Sequence, residues 1–278
     1  MQPSNNVQKP TKRLSGQTAI VTGANSGIGA AIAQSLALDG ANVVINYIVN
    51  EEAAQELADG IDQDGICGQA MIYKADVSKE EEVVAMFQAT VERFGTVDIC
   101  VPNAGIQRDY ALHEMPFSEW QKVIDVNLTG QFLCAREAIR EFIRRGPRPE
   151  VSRSLGKIIH ISSVHEVIPW AGHANYAASK GAIVMLMESI AQSYAPIKVR
   201  ANSIAPGAIK TEINREAWET KAALEELYKL IPYKRMGEPD DIGSTAAWLA
   251  SDESEYVNGT TIFVDGAMTC YPGFTENG

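Results

Sequence analysis

Residues 18–29 read TAIVTGANSGIG, and residues 30–38 continue as AAIAQSLAL. The first residues of this stretch predict a short buried strand, and the small apolar residues at its end predict a helix. Gly23, Gly27 and Gly29 lie between the two. Glycines at such a turn let the backbone approach a pyrophosphate, and the N-terminus of the next helix adds the positive end of its dipole. The spacing is G-x-x-x-G-x-G, not the commoner G-x-G-x-x-G. The stretch therefore predicts a nucleotide phosphate site.

Short apolar runs alternate with amphipathic stretches along the rest of the chain. The runs are rich in Val, Ile and Ala, as expected of strands buried on both faces. Seven strands are predicted, at Thr18–Thr22, Asn42–Tyr47, Ala70–Ala75, Val97–Val101, Lys157–Ser162, Lys198–Ile204 and Thr260–Val264. Helices between the strands indicate βαβ units, and therefore a doubly wound parallel sheet with helices on both faces.

Local signals predict where three of the helices begin. Ser78 precedes Glu81, and Ser118 precedes Gln121, at the spacing of a capping box. Pro239 stands where the first turn of a late helix should be.

The composition excludes several classes of partner. The 278 residues include 24 basic and 35 acidic side chains, for a net charge of −11. This charge repels nucleic acid and anionic membranes, so neither is expected as a partner. No stretch approaches the roughly 20 apolar residues of a membrane span, and no secretory signal is recognisable. We expect a cytoplasmic protein with a polar, disordered tail over residues 1–13 and a single domain over residues 14–278.

Cysteines and histidines give no metal or disulfide pattern. Cys67, Cys100, Cys134 and Cys270 match no zinc or redox motif and are expected to be free thiols. No metal is expected.

One irregular segment, residues 145–156, is called the basic loop here. Basic residues gather in and around it, at Arg140, Arg144, Arg145, Arg148, Arg153 and Lys157. A nucleic-acid patch is one interpretation, but no aromatic residues interleave with the cations. A solvated loop or a contact between subunits is favoured.

Ser163, Tyr176 and Lys180 predict proton chemistry. Tyr176 and Lys180 are four residues apart in a helical stretch and share one face. A phenol titrates near ~10, and a nearby ammonium group favours its ionised form. The phenol can then exchange a proton with an alcohol, while the Ser163 hydroxyl positions the oxygen of the carbonyl.

In order and spacing, these motifs resemble the short-chain dehydrogenase/reductase family. The resemblance covers about residues 14–265 and rests on Thr22–Gly29, Asn103-Ala104-Gly105, Ser163 and the Tyr176/Lys180 pair. It implies a single α/β domain of Rossmann type, NAD or NADP as cofactor, a small-molecule substrate and a homotetramer, or sometimes a dimer. Pro102 and Ala267 depart from the family pattern, which usually has Asn and Gly there.

The resemblance also implies a role for individual residues. Tyr176 is the catalytic acid/base, and Lys180 lowers its pKa and holds the nicotinamide ribose. Ser163 orients the substrate, and Asn127 supports a water-mediated proton relay through Lys180. The implied cofactor-binding residues are Gly23, Asn25, Ser26, Gly27, Ile28, Gly29, Asn46, Tyr47, Asp76, Val77, Asn103, Ala104, Gly105, Tyr176, Lys180, Pro206, Gly207, Ile209 and Thr211.

The end of the second strand should decide between NAD and NADP. An acid there holds the ribose 2′-hydroxyl, and a base accommodates the 2′-phosphate. Asn46, Tyr47, Ile48 and Ser26 are all uncharged, so we expect weak discrimination. Asn46 either contacts the ribose or only ends the strand.

Residues 113–115, 162–166, 168–170 and 268–272 resemble the bacterial glucose 1-dehydrogenases of this family. This resemblance implies oxidation of a sugar hydroxyl to a lactone. The expected substrate contacts are Gln107, Ser163, His165 and Asn214, with Glu166 as a further candidate. The alternative is that His165 and Glu166 only brace the loop after the strand. Because Gln107 stands where those enzymes typically carry Glu, we expect a polyhydroxylated substrate, with glucose as its model.

Two other functions stay open. A reductase of ketoacyl thioesters or other carbonyl compounds shares every catalytic residue, and the basic loop could dock an acidic acyl carrier. A non-catalytic nucleotide sensor is the alternative outside enzymology, but it would not need the complete set of proton-transfer residues.

Overall fold

A computed structural model describes residues 12–63 and 68–270. Within these residues, the seven predicted strands form one parallel sheet in the order β3-β2-β1-β4-β5-β6-β7. The strands are β1 Thr18–Val21, β2 Asn42–Tyr47, β3 Ala70–Lys74, β4 Ile99–Val101, β5 Gly156–Ile161, β6 Val199–Pro206 and β7 Thr261–Val264. The predicted seven-stranded α/β fold is confirmed.

Helices cover both faces of this sheet. Their bounds are α1 Gly27–Leu38, α2 Glu51–Gln63, α3 Glu80–Phe94, α4 Phe117–Ile124, α5 Gly130–Arg145, α6 Ala174–Tyr194, α7 Lys221–Lys229 and α8 Pro239–Ala250. On one face, Ile32 of α1 and Ile242 of α8 share a buried core with α2. On the other, Phe87 of α3, Phe142 of α5 and Met187 of α6 belong to a second core. One core on each face of the sheet confirms the predicted doubly wound arrangement.

The strand order reverses at β1. Val21 of β1 pairs with Ile45 of β2 on one side and with Val101 of β4 on the other. In open α/β sheets, ligands bind outside the carboxyl ends of the strands at such a switch point. The glycine turn after β1, the loop after β4 and Ser163 after β5 all lie at this edge.

The basic loop lies at the opposite edge of the sheet, because it precedes β5. Its cations are paired within the chain. Arg148 donates to Asp98 at 2.6 Å, and Arg153 pairs with Glu255 at 3.1 Å. These partners leave little unpaired positive charge in the loop, which supports the solvated-loop interpretation over a nucleic-acid patch.

Residues at the start of the described chain already belong to the folded domain. Arg13 pairs with Asp39 at 2.5 Å and with Glu253 at 2.9 Å, and Leu14 is fully buried. The predicted tail therefore does not extend through residue 13, and residues 1–11 lie outside the described residues.

Free thiols are confirmed for three of the four cysteines. Cys100 and Cys134 are buried, and Cys270 is exposed. Burial raises the pKa of Cys134 to about 12, which makes this thiol inert at neutral pH. Cys67 lies outside the described residues.

Candidate active site

The glycine turn between β1 and α1 leaves the backbone open to a ligand. Gly23 and Gly27 have φ angles of 58° and 54°, a conformation that favours glycine. A Cβ built on Gly29 would lie 2.3 Å from the carbonyl oxygen of Gly23, so no side chain fits there. Ser26 stands at the N-cap of α1, whose first N–H groups have no partner within the helix. This cradle fits the pyrophosphate of a dinucleotide.

Thr22 and Asn103 hold the turn against the sheet. The Thr22 hydroxyl accepts hydrogen bonds from the N–H groups of Asn103 and Ala104, at 2.9 and 3.0 Å. The Asn103 amide in turn donates to the carbonyls of Thr22 and Gly23, at 2.8 and 3.1 Å. Asn103 therefore shapes the cofactor site by positioning the turn.

Asn46 supports the same turn from β2. Its side chain is buried, and its oxygen accepts a hydrogen bond from the Gly23 N–H at 3.2 Å. Its amide donates to the carbonyls of Ala75 and Tyr73, at 3.0 and 3.3 Å. Of the two alternatives for Asn46, the structure supports a bracing role rather than a ribose contact. Ile48, which follows β2, is exposed, but its apolar side chain cannot form the ribose contact that Asn46 does not make.

The other predicted cofactor residues lie along the same edge. Asp76 accepts a hydrogen bond from the Ser78 hydroxyl at 2.7 Å. Thr211 lies over the glycine turn, because a Cβ built on Gly27 would be 3.3 Å from its methyl group. The remaining residues at this edge are Asn25, Ile28, Tyr47, Val77, Gly105, Pro206, Gly207 and Ile209.

Ser163 and Tyr176 meet at the carboxyl end of β5. Ser163 caps a helical turn over Val164–Glu166, and its hydroxyl accepts a hydrogen bond from the His165 N–H at 3.2 Å. Tyr176 lies in the first turn of α6. Burial raises the pKa of Tyr176, and the neighbouring Ser163 hydroxyl opposes that rise. These two hydroxyl groups can orient the oxygen of an alcohol and move its proton.

Lys180 lies one helical turn after Tyr176 and is buried. Its ammonium nitrogen is 5.5 Å from the centre of the Tyr176 ring and donates to the Ile161 carbonyl at 2.9 Å. Burial lowers the pKa of Lys180 to about 8. The pKa of Tyr176 is therefore raised by burial and not lowered as expected, and the ammonium group is bonded to the Ile161 carbonyl and not to the phenol.

Two buried side chains beside Lys180 were missed by the sequence analysis. Gln131 donates to the same Ile161 carbonyl at 3.0 Å, and its oxygen lies 2.7 Å from Nδ1 of His160. Since this oxygen can only accept, His160 is assigned its proton on Nδ1. Burial and the charge of Lys180 lower the pKa of His160 to about 3. In a strand buried on both faces, no periodicity shows which side chain approaches the site.

Asn127 lies in a π-helical turn, Asp125–Thr129, between α4 and α5. Such turns are frequent at functional sites. The Asn127 oxygen accepts a hydrogen bond from the Ile106 N–H at 2.8 Å. Its amide donates to the Ile106 carbonyl at 3.0 Å and to the Ser179 hydroxyl at 3.2 Å. Asn127 therefore ties the loop after β4 to the residue next to Lys180.

Three rings beside Tyr176 form what we call the aromatic stack. Trp170 lies between His165 and His173, with ring centres 4.3 and 3.5 Å apart. The Tyr176 ring meets His165 and Trp170 edge-on at 6.3 Å. Both faces of Trp170 are thus covered. Because Nδ1 of His165 lies 3.0 Å from the Ile168 carbonyl, Nε2 is its one nitrogen left for a substrate.

Gln107 and Asn214, both predicted substrate contacts, differ in their surroundings. Gln107 is partly exposed in the loop after β4. Asn214 is engaged by its own loop: it accepts from the Thr211 N–H at 3.1 Å and the Trp218 indole N–H at 3.2 Å. Its amide donates to the Ile209 carbonyl at 2.8 Å. These bonds make Asn214 a support for the loop.

Comparison with known proteins agrees with this geometry. A family profile described as enoyl-(acyl carrier protein) reductase matches residues 23–269. The chain belongs to the short-chain dehydrogenase/reductase family. The implied fold is the one that the structure shows.

Relatives in this family act on different alcohols. The chain is 48% identical to 3beta-hydroxysteroid dehydrogenase 1 of Eggerthella lenta, over 94% of this chain and 97% of that protein. It is 43% identical to glucose 1-dehydrogenase 2 of Bacillus subtilis, over 95% and 99%. A crystal structure of gluconate 5-dehydrogenase from Burkholderia cenocepacia, with NADP and tartrate, superposes with a TM-score of 0.84 at 38% identity, over 94% and 98%.

As a short-chain dehydrogenase/reductase, the protein is an oxidoreductase that uses NAD or NADP. Among the residues that the structure describes, no helix is both long and apolar enough to cross a membrane.

Proposed function

We propose that the protein oxidises a hydroxyl group on a ring carbon, with Tyr176 accepting the hydroxyl proton. The observation that carries this proposal is the juxtaposition of the Ser163 and Tyr176 hydroxyls beside buried Lys180. A bound nicotinamide supplies the hydride acceptor. The same side chains can serve the reverse reduction.

Each side chain has a separate task in this proposal. Ser163 donates a hydrogen bond to the substrate oxygen and so holds it beside Tyr176. Tyr176 keeps its proton at rest, because burial raises its pKa, and ionises with help from the Lys180 charge. Lys180 also holds the nicotinamide ribose, and Asn127 supports the relay that exchanges the proton with solvent.

A sugar hydroxyl is the first candidate, oxidised at the anomeric carbon to a lactone. The similarity to glucose 1-dehydrogenase 2 supports this substrate. Gln107, Ser163 and the free nitrogen of His165 would provide the polar contacts, and Asn214 would act through its loop.

A hydroxysteroid or another flat ring alcohol is the second candidate, because apolar side chains border the site. Leu112, Val167 and Trp170 are 70%, 59% and 39% exposed. The two loops that carry them are joined by a hydrogen bond from the Tyr110 N–H to the Gly172 carbonyl at 3.0 Å. The similarity to 3beta-hydroxysteroid dehydrogenase 1 supports this substrate.

The other two functions have less support. An acidic acyl carrier would need unpaired cations at the mouth of the site. The basic loop lies at the far edge of the sheet, where Arg148 and Arg153 are already paired. A non-catalytic sensor would not require Ser163, Tyr176 and Lys180 together.

A substrate panel separates these candidates. Aldoses, 3-hydroxysteroids and ketoacyl thioesters are each assayed with NAD and NADP by nicotinamide absorbance. Sugar oxidation is the expected result; turnover of steroids alone selects the second candidate, and turnover of thioesters alone contradicts both.

Removing the Tyr176 hydroxyl tests its role in proton transfer. Tyr176→Phe should bind cofactor normally and lose about 10²- to 10⁴-fold in turnover. Tyr256→Phe is the control, because Tyr256 is fully exposed. Full activity of Tyr176→Phe would show that the acid/base is another group.

We also propose that the protein is a homotetramer. Phe132 and Ile143 on α5 and Met185 on α6 are large apolar side chains with 43%, 56% and 59% of their surface exposed. Burial in a subunit interface would remove them from water. Light scattering coupled to size exclusion measures the mass, and a monomer at micromolar concentration would contradict the proposal.

A further inference from the structure

Glu166 is a half-buried residue that the proposed mechanism does not use. It ends the helical turn after Ser163, and its N–H donates to the Ser163 carbonyl at 2.9 Å. Its own carbonyl lies against Gly181, since a Cβ built on Gly181 would be 3.9 Å away. The turn is therefore packed against the part of α6 that carries Lys180.

The Glu166 carboxylate lies among buried polar groups. Burial raises the pKa of Glu166, and the hydroxyls of Ser162 and Thr261 and the charge of Lys180 oppose that rise. The charge of Glu188 on α6 adds to the rise. Among the described residues, Oε2 of Glu166 is buried and has no hydrogen-bond partner. This oxygen therefore accepts no hydrogen bond that would offset its charge.

Lys180 needs such a charge nearby. Its protein acceptor, the Ile161 carbonyl, is neutral, and so is His160, which faces it from β5. From α6 itself, the group that faces the ammonium is the Tyr176 ring. Burial lowers the pKa of Lys180, and Glu166 opposes that change. An uncharged lysine could not stabilise the ionised form of Tyr176.

We propose that Glu166 is a positioning residue that acts through Lys180: its carboxylate keeps the ammonium group charged while Tyr176 exchanges a proton with the substrate. The inference rests on the proposed function for the roles of Tyr176 and Lys180. It also separates Glu166 from the substrate contacts, because the carboxylate lies beside Ser162 and Thr261.

The decisive experiment titrates Lys180 directly and needs no substrate. The full chain is labelled with ¹³C at the lysine Cε, and the Lys180 resonance is assigned with Lys180→Arg. Glu166→Gln should lower the midpoint of its titration by on the order of one pH unit. The resonance of Lys157, which is buried at the opposite end of β5 and whose pKa is also lowered to about 8, should not move.

Matched variants separate charge from structure. Glu188→Gln makes the same chemical change at an exposed position of α6 and should leave the Lys180 midpoint unchanged. If Glu166→Gln does not fold, Glu166→Asp retracts the carboxylate by one methylene and should give a smaller downward shift. A purely structural role for Glu166 would lower the melting temperature and leave the midpoint in place, which would overturn the inference.

The pH profile of turnover gives a second measurement. In the oxidation direction, the alkaline limb reports loss of the Lys180 proton, so Glu166→Gln should move this limb to lower pH. Turnover with an unmoved limb and an unmoved resonance would contradict the role of Glu166. A shifted resonance without turnover of any tested substrate would contradict the proposed function and leave this inference intact.

Discussion

Acid should destabilise the protein through His160, a fully buried histidine near Lys180. His160 donates from Nδ1 to Gln131, and its Nε2 is buried without a hydrogen-bond partner among the described residues. The folded protein holds this ring neutral, because burial and Lys180 lower its pKa to about 3. The substitution His160→Asn removes the titrating ring and keeps a polar side chain at this position.

The magnitude follows from proton linkage. A histidine in the unfolded chain has a pKa near 6.5. Between pH ~6.5 and pH ~3, the unfolded chain binds one more proton than the folded one, so stability falls as the pH falls. At pH ~5 the loss from His160 is about 2 kcal/mol, at 1.36 kcal/mol for each pH unit below the unfolded pKa. This loss stays the same for any folded pKa well below 5.

Urea unfolding at several pH values measures this loss. His160→Asn leaves a small cavity and should lower the free energy of unfolding at every pH. Between pH ~7 and pH ~5, however, it should lose about 2 kcal/mol less than the wild type. His113→Asn is the control, because the His113 side chain is 82% exposed. Parallel curves for the wild type and His160→Asn would refute the assignment of a buried neutral ring.

Three further substitutions test the nucleotide site and a strained loop. Gly29→Ala should weaken NAD binding at least tenfold in calorimetry, because its Cβ would meet backbone atoms at 2.3 and 2.9 Å and overpacking costs about 1–3 kcal/mol. The exposed control Gly60→Ala should leave the affinity unchanged, and the same result for Gly29→Ala would contradict this prediction. Asn46→Asp should lower the free energy of unfolding by about 1–3 kcal/mol by losing its amide donors, and should leave the NAD/NADP ratio of kcat/KM unchanged; a switch to NAD would show a ribose contact. Ala267→Gly should raise the melting temperature, because Ala267 has a φ of 70° and relief of that strain is worth about 1 kcal/mol.

The strands could be predicted from sequence because buried parallel strands are short apolar runs. Residues 42–47 agree at both ends. Val97 was predicted to open β4, which begins at Ile99. Val97 is as buried as the strand itself, so its apolar character does not distinguish it from a paired residue. The end of a strand depends on where its neighbour stops pairing, and a single run of residues does not encode that.

Capping signals were less reliable than the strand patterns. Pro239 begins α8 as predicted. The two capping boxes were wrong: the Ser78 hydroxyl donates to Asp76 at 2.7 Å, and α3 is capped at Lys79. Ser118 lies inside α4, which begins one residue earlier. The Ser78 hydroxyl is thus engaged by a neighbouring carboxylate and not by the end of the helix.

The motifs located the site but not the direction of every side chain in it. Ser163 and Tyr176 come together at the carboxyl end of β5, where the family resemblance implied that both act. Asn46 and Asn214 instead turn inward and brace backbone. An amide can donate and accept equally well toward solvent or toward a carbonyl, so its residue type alone does not show which way it points.

Burial disfavours the charged forms of Tyr176 and Lys180, and the other motif residues do not fully offset this effect. It raises the pKa of Tyr176 and lowers the pKa of Lys180, so it favours the neutral form of both groups. Proton transfer from an alcohol requires the opposite, an ionised phenol beside a charged amine. The histidine at position 160 is neutral and cannot supply the balance, whereas the carboxylate of Glu166 can. On our proposal, Tyr176 and Lys180 therefore depend on a residue outside the family motif, and variation at position 166 should alter the pH range of activity before it alters the choice of substrate.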